Sequence, residues 1–86
     1  MATRIARHNG QTVVIHGRAM AVSNVRRAGQ QGWVATFTSG GQHFLAVQTT
    51  PPTVPGDPDA ERWLVMVGRT PRYFAVNDAG IRDIAS

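Results

Sequence analysis

Two pairs of turn-forming residues, Asn9-Gly10 and Gly40-Gly41, each sit between short runs rich in β-branched or aromatic side chains, and this punctuation constrains the fold more than any other feature. Both central positions of a type I′ turn need positive φ, which Asn and Gly tolerate, and such a two-residue loop joins antiparallel strands. Around the first pair, residues 3–16 are expected to form a hairpin, with Arg7 opposite Thr12 and Ile5 opposite Val14. Around the second, residues 33–38 face residues 42–48, which sets Phe37 against Phe44 and Ala35 against Ala46, with Trp33 on the same side. Large and small residues alternate across that face, as a core face requires.

The rest of the chain extends the pattern. Residues 18–28 mix two periods: Ala19, Val22 and Val25 fall at helical spacing, but no N-cap precedes them and Ser23-Asn24 interrupts the middle. A strand over 18–23 followed by a basic loop is the expectation, with a helix at 18–28 as the alternative. Residues 49–61 hold Pro51, Pro52, Pro55 and Pro58 with Gly56, and they are expected to run as an exposed Pro-rich loop. Residues 62–67, Arg-Trp-Leu-Val-Met-Val, form an apolar run without alternation, the pattern of a central strand covered on both faces. Residues 72–76 read as a further strand after a turn over Gly68-Arg69-Thr70-Pro71, although Thr70-Pro71 could instead cap a helix. Asn77 is placed to cap a short helix over 78–85, in which Ile81 and Ile84 share a face. The predicted fold is therefore mainly β: a small antiparallel barrel or curved sheet of five or six short strands with a short C-terminal helix. A helix at 18–28 would make it α+β instead.

Length and composition bound the function. A chain of 86 residues is expected to form a single domain with one modest core. With 42% hydrophobic and 16% charged residues it falls among globular rather than disordered sequences. There is no Cys, which excludes disulfides, a thiol nucleophile and a Cys-ligated metal. The first residues carry no apolar signal segment, so a cytoplasmic protein without membrane partners is expected. An open sheet edge would offer a route to a homodimer.

No catalytic or metal-binding pattern emerges. His8, His16 and His43 lack the i, i+4 helical spacing of a zinc protease site, and by the hairpin register His8 and His16 point to opposite faces. Ser23 or Ser39 with His43 and Asp78 could be drawn as a triad, but no Gly-x-Ser-x-Gly elbow supports it. Asp57, Asp59 and Glu61 lack calcium-loop spacing, and Ser39-Gly40-Gly41 precedes a strand rather than a helix. The expectation is a protein that is not an enzyme and uses no cofactor or metal.

Charge points to the partner. All nine basic residues are Arg, and five of them precede Asp57, the first acidic residue. Arg presents a planar fork that matches phosphate, although a GC-rich genome also favours Arg over Lys without selection for binding. Arg4, Arg7, Arg18, Arg26, Arg27, Arg62 and Arg72, with Trp33 and Tyr73 as stacking rings, form the candidate nucleic-acid surface. The plainer role of the same residues is to solvate strand ends around a packed core. The second candidate is a protein-interaction protein, such as a small inhibitor, adaptor or structural subunit of the kind phages and plasmids encode. It would act through a sheet face and through Pro51, Pro52, Pro55, Asp57, Asp59 and Glu61 in the loop.

Overall fold

A computed structural model describes residues 3–85. Its sheet has seven antiparallel strands in simple sequential order: β1 (Thr12–Ile15), β2 (Arg18–Arg27), β3 (Trp33–Ser39), β4 (Gln42–Val54), β5 (Asp57–Val67), β6 (Thr70–Asn77) and β7 (Gly80–Ile84). The sheet curls until β1 and β7 come side by side, giving a nearly closed barrel. The mainly β expectation holds, but there are seven strands rather than five or six. No C-terminal helix forms, and 18–28 is not helical.

The first hairpin is displaced from its expected place. Residues Arg4–His8 form a 3-10 helix, and Asn9 has φ −59°, so it cannot occupy a position of a type I′ turn. Ile5 and His8 are both buried, and their separation of three residues matches the turn of a 3-10 helix, which stacks them on one face. The turn chemistry appears instead at His16-Gly17, with φ of 49° and 83°, where Ile15 pairs with Arg18. The pairings of Arg7 with Thr12 and Ile5 with Val14 are therefore replaced by β1 against β2, Thr12 opposite Ala21 and Val14 opposite Ala19.

Strand β2 does not end at residue 23. Ser23 pairs with Thr36 and Arg26 with Val34, so β2 carries one residue more than β3 across this interval. Asn24 adopts φ 51°, a left-handed conformation that Asn tolerates better than most residues. The bulge shifts the phase of the strand, so that Val25 rather than Asn24 packs toward the core after Met20 and Val22. The next residue in phase is Arg27.

The β3–β4 hairpin is as read from the sequence. Gly40 and Gly41 have φ of 57° and 81°, Phe37 pairs with Phe44, and Ala35 pairs with Ala46. On β5, by contrast, alternation was hidden by an all-apolar run: Trp63 and Val65 are fully buried, while Met66 is 44% exposed. The strand is covered on one face only. Phe74 bridges Phe37 and Trp63, with ring centroids 5.3 and 6.4 Å away, at the centre of the core.

Residues 49–61 are largely strand rather than loop. β4 continues to Val54, and β5 starts at Asp57 after a turn at Pro55-Gly56, with Gly56 at φ 81°. Pro51 and Pro52 are accommodated by a wide bulge: Gln48 pairs with Trp63 and Thr53 with Glu61, so residues 49–52 stand opposite Arg62 alone. Pro51 and Pro52 fall where no ladder hydrogen bond is required. At the C-terminus, Asn77 Oδ1 accepts from the N–H groups of Ala79 and Gly80 at 2.9 and 3.0 Å. The Asn side chain closes a turn with the bonds that would have capped a helix. β7 then covers the edge of β6, and Ile81 packs on the core.

The N-terminal 3-10 helix closes the end of the barrel that bears the β2–β3, β4–β5 and β6–β7 connections. Its Ile5 is fully buried. Glu61 fastens it by accepting from the Thr3 hydroxyl and the Arg4 N–H, at 3.1 Å for the latter. The same carboxylate accepts the indole N–H of buried Trp63 at 3.2 Å. Beside β7, the His16 N–H donates to Asp83 at 2.9 Å and His16 Nε2 donates to the Tyr73 carbonyl, clasping the two edge strands. No helix among the described residues is long and apolar enough to cross a membrane.

Candidate nucleic-acid interface

The arginines fall into two electrostatic groups. Arg4 and Arg7, on the 3-10 helix, share Asp78 at 3.2 and 3.3 Å, and Arg82 pairs with Asp57 at 3.2 Å. Among the described residues, Arg18, Arg26, Arg27, Arg62, Arg69 and Arg72 have no carboxylate within ion-pair distance. Three of these are set against rings: Arg27 is 5.9 Å from the centroid of Trp33, Arg62 is 4.6 Å from that of Tyr73, and Arg18 is 5.6 Å from that of Phe44. Stacking on a ring face orients a guanidinium while leaving its edge N–H groups available to an anion.

Strand alternation separates residues that are adjacent in sequence. Leu64 pairs with Tyr73 and Val65 with Arg72, so Tyr73 and Arg62 share the outer face while Arg72 lies in the inward phase with Val65. Arg18, Arg69 and Arg72 lie toward the barrel end formed by the turns at 16–17, 40–41 and 68–69, away from the N-terminal 3-10 helix. Trp63 is fully buried and cannot serve as a stacking platform. Trp33 is half-buried at the opposite rim beside Arg27, and Arg26 turns outward to donate to the Asn24 carbonyl at 2.9 Å.

Beside Trp33 opens a cleft of about 240 Å³, lined by Gln30, Gln31, Gly32, Trp33, Gln48, Thr49, Thr50 and Pro52. One wall is the short β2–β3 connection, folded as a 3-10 turn over Gly29–Gln31 and closed by a 2.7 Å bond from the Ala28 N–H to the Gly32 carbonyl. The other wall is the β4 bulge. Its shape is held from within: Thr49 Oγ1 lies 2.7 Å from the Pro51 carbonyl and 3.2 Å from that of Arg62, and Gln48 Nε2 donates to the Pro52 carbonyl at 3.4 Å. No carboxylate lines the cleft. Sequence reasoning singled out Trp33 and Pro52 but not the glutamines and threonines between them; the uncharged polar run Gln30-Gln31 just before Gly32-Trp33 was the available signal.

The acidic residues of the 49–61 segment are mostly engaged within the molecule. Asp57 holds Arg82 and accepts the Asp59 N–H at 3.3 Å, and Glu61 is committed to the N-terminal closure. Asp59, Pro51, Pro52 and Pro55 are exposed. A second hollow, of about 220 Å³, lies at the β6–β7 turn between Asn77 and Arg82.

The histidines have structural partners. His8 is not on a strand: it is buried in the 3-10 helix, with Nε2 donating to the Asn77 carbonyl at 2.9 Å and Nδ1 3.1 Å from the Gln11 side chain. His43 Nδ1 lies 3.1 Å from the Thr38 hydroxyl on the outer face. Among the described residues no three His, Asp or Glu side chains gather as a metal site would require. Compared with protein-family models, curated proteins and solved structures, the chain finds no match in any of the three.

Proposed function

We propose that the protein is a non-enzymatic binding module for nucleic acid, engaging the backbone through Arg18, Arg26, Arg27, Arg62 and Arg72 and stacking bases on partly exposed rings. The observation that carries this reading is the set of arginines without carboxylate partners, three of them held over aromatic rings on a rigid β scaffold. Arg4 and Arg7 contribute less, because Asp78 already neutralises part of their charge. Fluorescence anisotropy of labelled nucleic acid at several salt concentrations tests the reading. If five arginines contact phosphates of a single strand, log K falls with log[salt] at a slope of about −3.5. Absence of binding at low salt, or binding insensitive to salt, would sink it.

A different observation favours a second reading, a protein-interaction protein. Leu45 and Met66 are 50% and 44% exposed, and they occupy the positions next to the Ala46–Val65 pair on neighbouring strands. With half-buried Leu64 and Val47 they form an apolar stripe on the outer sheet face. Replacing Leu45 and Met66 by Gln and comparing partner recovery with that of the wild type examines this stripe; unchanged recovery removes it as the contact. Deleting residues 51–58 is not a clean test, since the deletion also removes the hairpin that presents Ala60 and Glu61 to the interior.

A further inference from the structure

The cleft beside Trp33 has the chemistry of a pocket for one flat, hydrogen-bonding group. Trp33 supplies an aromatic wall and Pro52 an apolar one, while Gln30, Gln31, Gln48 and Thr49 supply donors and acceptors around them. Amide side chains offer both a carbonyl oxygen and an NH2 group, the complement of a base's Watson–Crick edge. The Gln48 NH2 group is engaged with the Pro52 carbonyl, and its side-chain oxygen remains an acceptor. At about 240 Å³ the cleft is smaller than the roughly 300–1,000 Å³ of pockets that enclose larger ligands, so it suits a single ring system.

Its surroundings select an anionic ligand. No carboxylate lines it, and the Arg27 guanidinium, over the Trp33 ring at 5.9 Å from its centroid and without a carboxylate partner, sets a positive charge beside it. The internal bonds of Gln48 and Thr49 hold the bulge wall in shape, so little ordering is required on binding.

We infer that this cleft receives one unpaired nucleobase, stacked on Trp33 and read at its edge by the surrounding amides, and that the protein therefore prefers single-stranded nucleic acid to duplex. The inference rests on the nucleic-acid reading above and deepens it. In a duplex the Watson–Crick edge is already paired and the base faces are covered by their neighbours, so only an unpaired base presents both.

The test compares labelled poly-dT with a duplex of the same length at one salt concentration, following anisotropy and tryptophan emission together. Because Trp63 is fully buried, emission changes on binding report Trp33. The expected result is poly-dT binding about tenfold or more tighter than duplex, with quenching of emission. Trp33→Ala is expected to remove the preference, bringing poly-dT affinity down to that of the duplex measured with the same variant. Trp33→Phe, which keeps a ring against the core, retains the preference and loses the quenching; it guards against a Trp33→Ala variant that fails to fold. Equal, salt-sensitive binding of both nucleic acids would overturn the base pocket and leave the nucleic-acid reading standing. Binding of neither at low salt would overturn both.

Discussion

Replacing Glu61 by Ala tests how the barrel end is closed. The carboxylate accepts three donors, the Thr3 hydroxyl, the Arg4 N–H and the Trp63 indole N–H, and two of these belong to residues almost wholly removed from water: Thr3 is 6% exposed and Trp63 is 0%. An indole N–H left unpaired in a buried site costs about 1–3 kcal/mol, and loss of the other two charge-assisted bonds adds to this. The three losses share one site and do not add fully, so the expected destabilisation is about 3–4 kcal/mol. With a urea m-value of about 1–3 kcal/mol/M for a small protein, the unfolding midpoint falls by roughly 2 M at unchanged m. Glu61→Gln keeps one acceptor oxygen and is expected to lose about half as much. Asp59→Ala removes an exposed carboxylate two residues away and is the control, expected within about 0.5 kcal/mol of wild type. Urea titrations of the three variants followed by circular dichroism decide the matter. If Glu61→Ala matches Asp59→Ala, the carboxylate does not fasten the N-terminal segment and the argument fails.

Other substitutions probe the same architecture. Ile5→Ala, which empties the fully buried apolar position of the 3-10 helix, is expected to cost about 2–5 kcal/mol in the same titration and to speed amide exchange in residues 4–8. Asn77→Ala leaves the Ala79 and Gly80 N–H groups without their acceptor and is expected to cost about 1 kcal/mol; no change in midpoint would mean that water replaces the bonds without loss. Arg7→Ala removes one of two cations on Asp78, from a side chain that is 69% exposed, so the midpoint is expected to stay within about 0.5 kcal/mol of wild type.

What the sequence made legible was set by local rules that tertiary context did not oppose. Gly40-Gly41 gave the right turn, and with it the right register for Phe37 with Phe44 and Ala35 with Ala46. Asn9-Gly10 satisfied the same rule and failed, because the residues before it serve the core better as a closure than as a strand. The spacing of Ile5 and His8 carried that information, but a five-residue 3-10 helix leaves little periodicity to read. Asn77 was recognised correctly as a residue that caps backbone N–H groups; whether such a cap opens a helix or a turn depended on the uncovered edge of β6. Four prolines masked a hairpin whose geometry spares them: Pro51 and Pro52 sit in the β4 bulge, Pro55 in the turn, and Pro58 in the unpaired stretch between Asp57 and Glu61. For the site, charge and ring type were legible in Arg27 and Trp33, but the cleft was not. It exists only because the bulge opposes the β2–β3 connection across the rim, a long-range juxtaposition.

The structure also changes what the net charge means. Of the five acids, Asp57 and Asp78 are spent on Arg82, Arg4 and Arg7, Glu61 on the N-terminal closure, and Asp83 on the His16 N–H. Among the described acids only the Asp59 carboxylate accepts no hydrogen bond and joins no ion pair, whereas six arginines have no carboxylate partner. The formal charge of +4 is therefore unevenly placed: Asp57 and Asp78 offset charge on Arg82, Arg4 and Arg7, while the positive charge of the other six arginines has no carboxylate beside it. It follows that stability and binding reside in different residues. Glu61 variants should move the unfolding midpoint, whereas Gln in place of Arg18, Arg26, Arg27, Arg62 or Arg72 should leave it nearly unchanged and weaken salt-sensitive binding one arginine at a time. If instead the arginine variants unfold the protein, the cation–π pairs hold the barrel rim together and the charge has a structural origin.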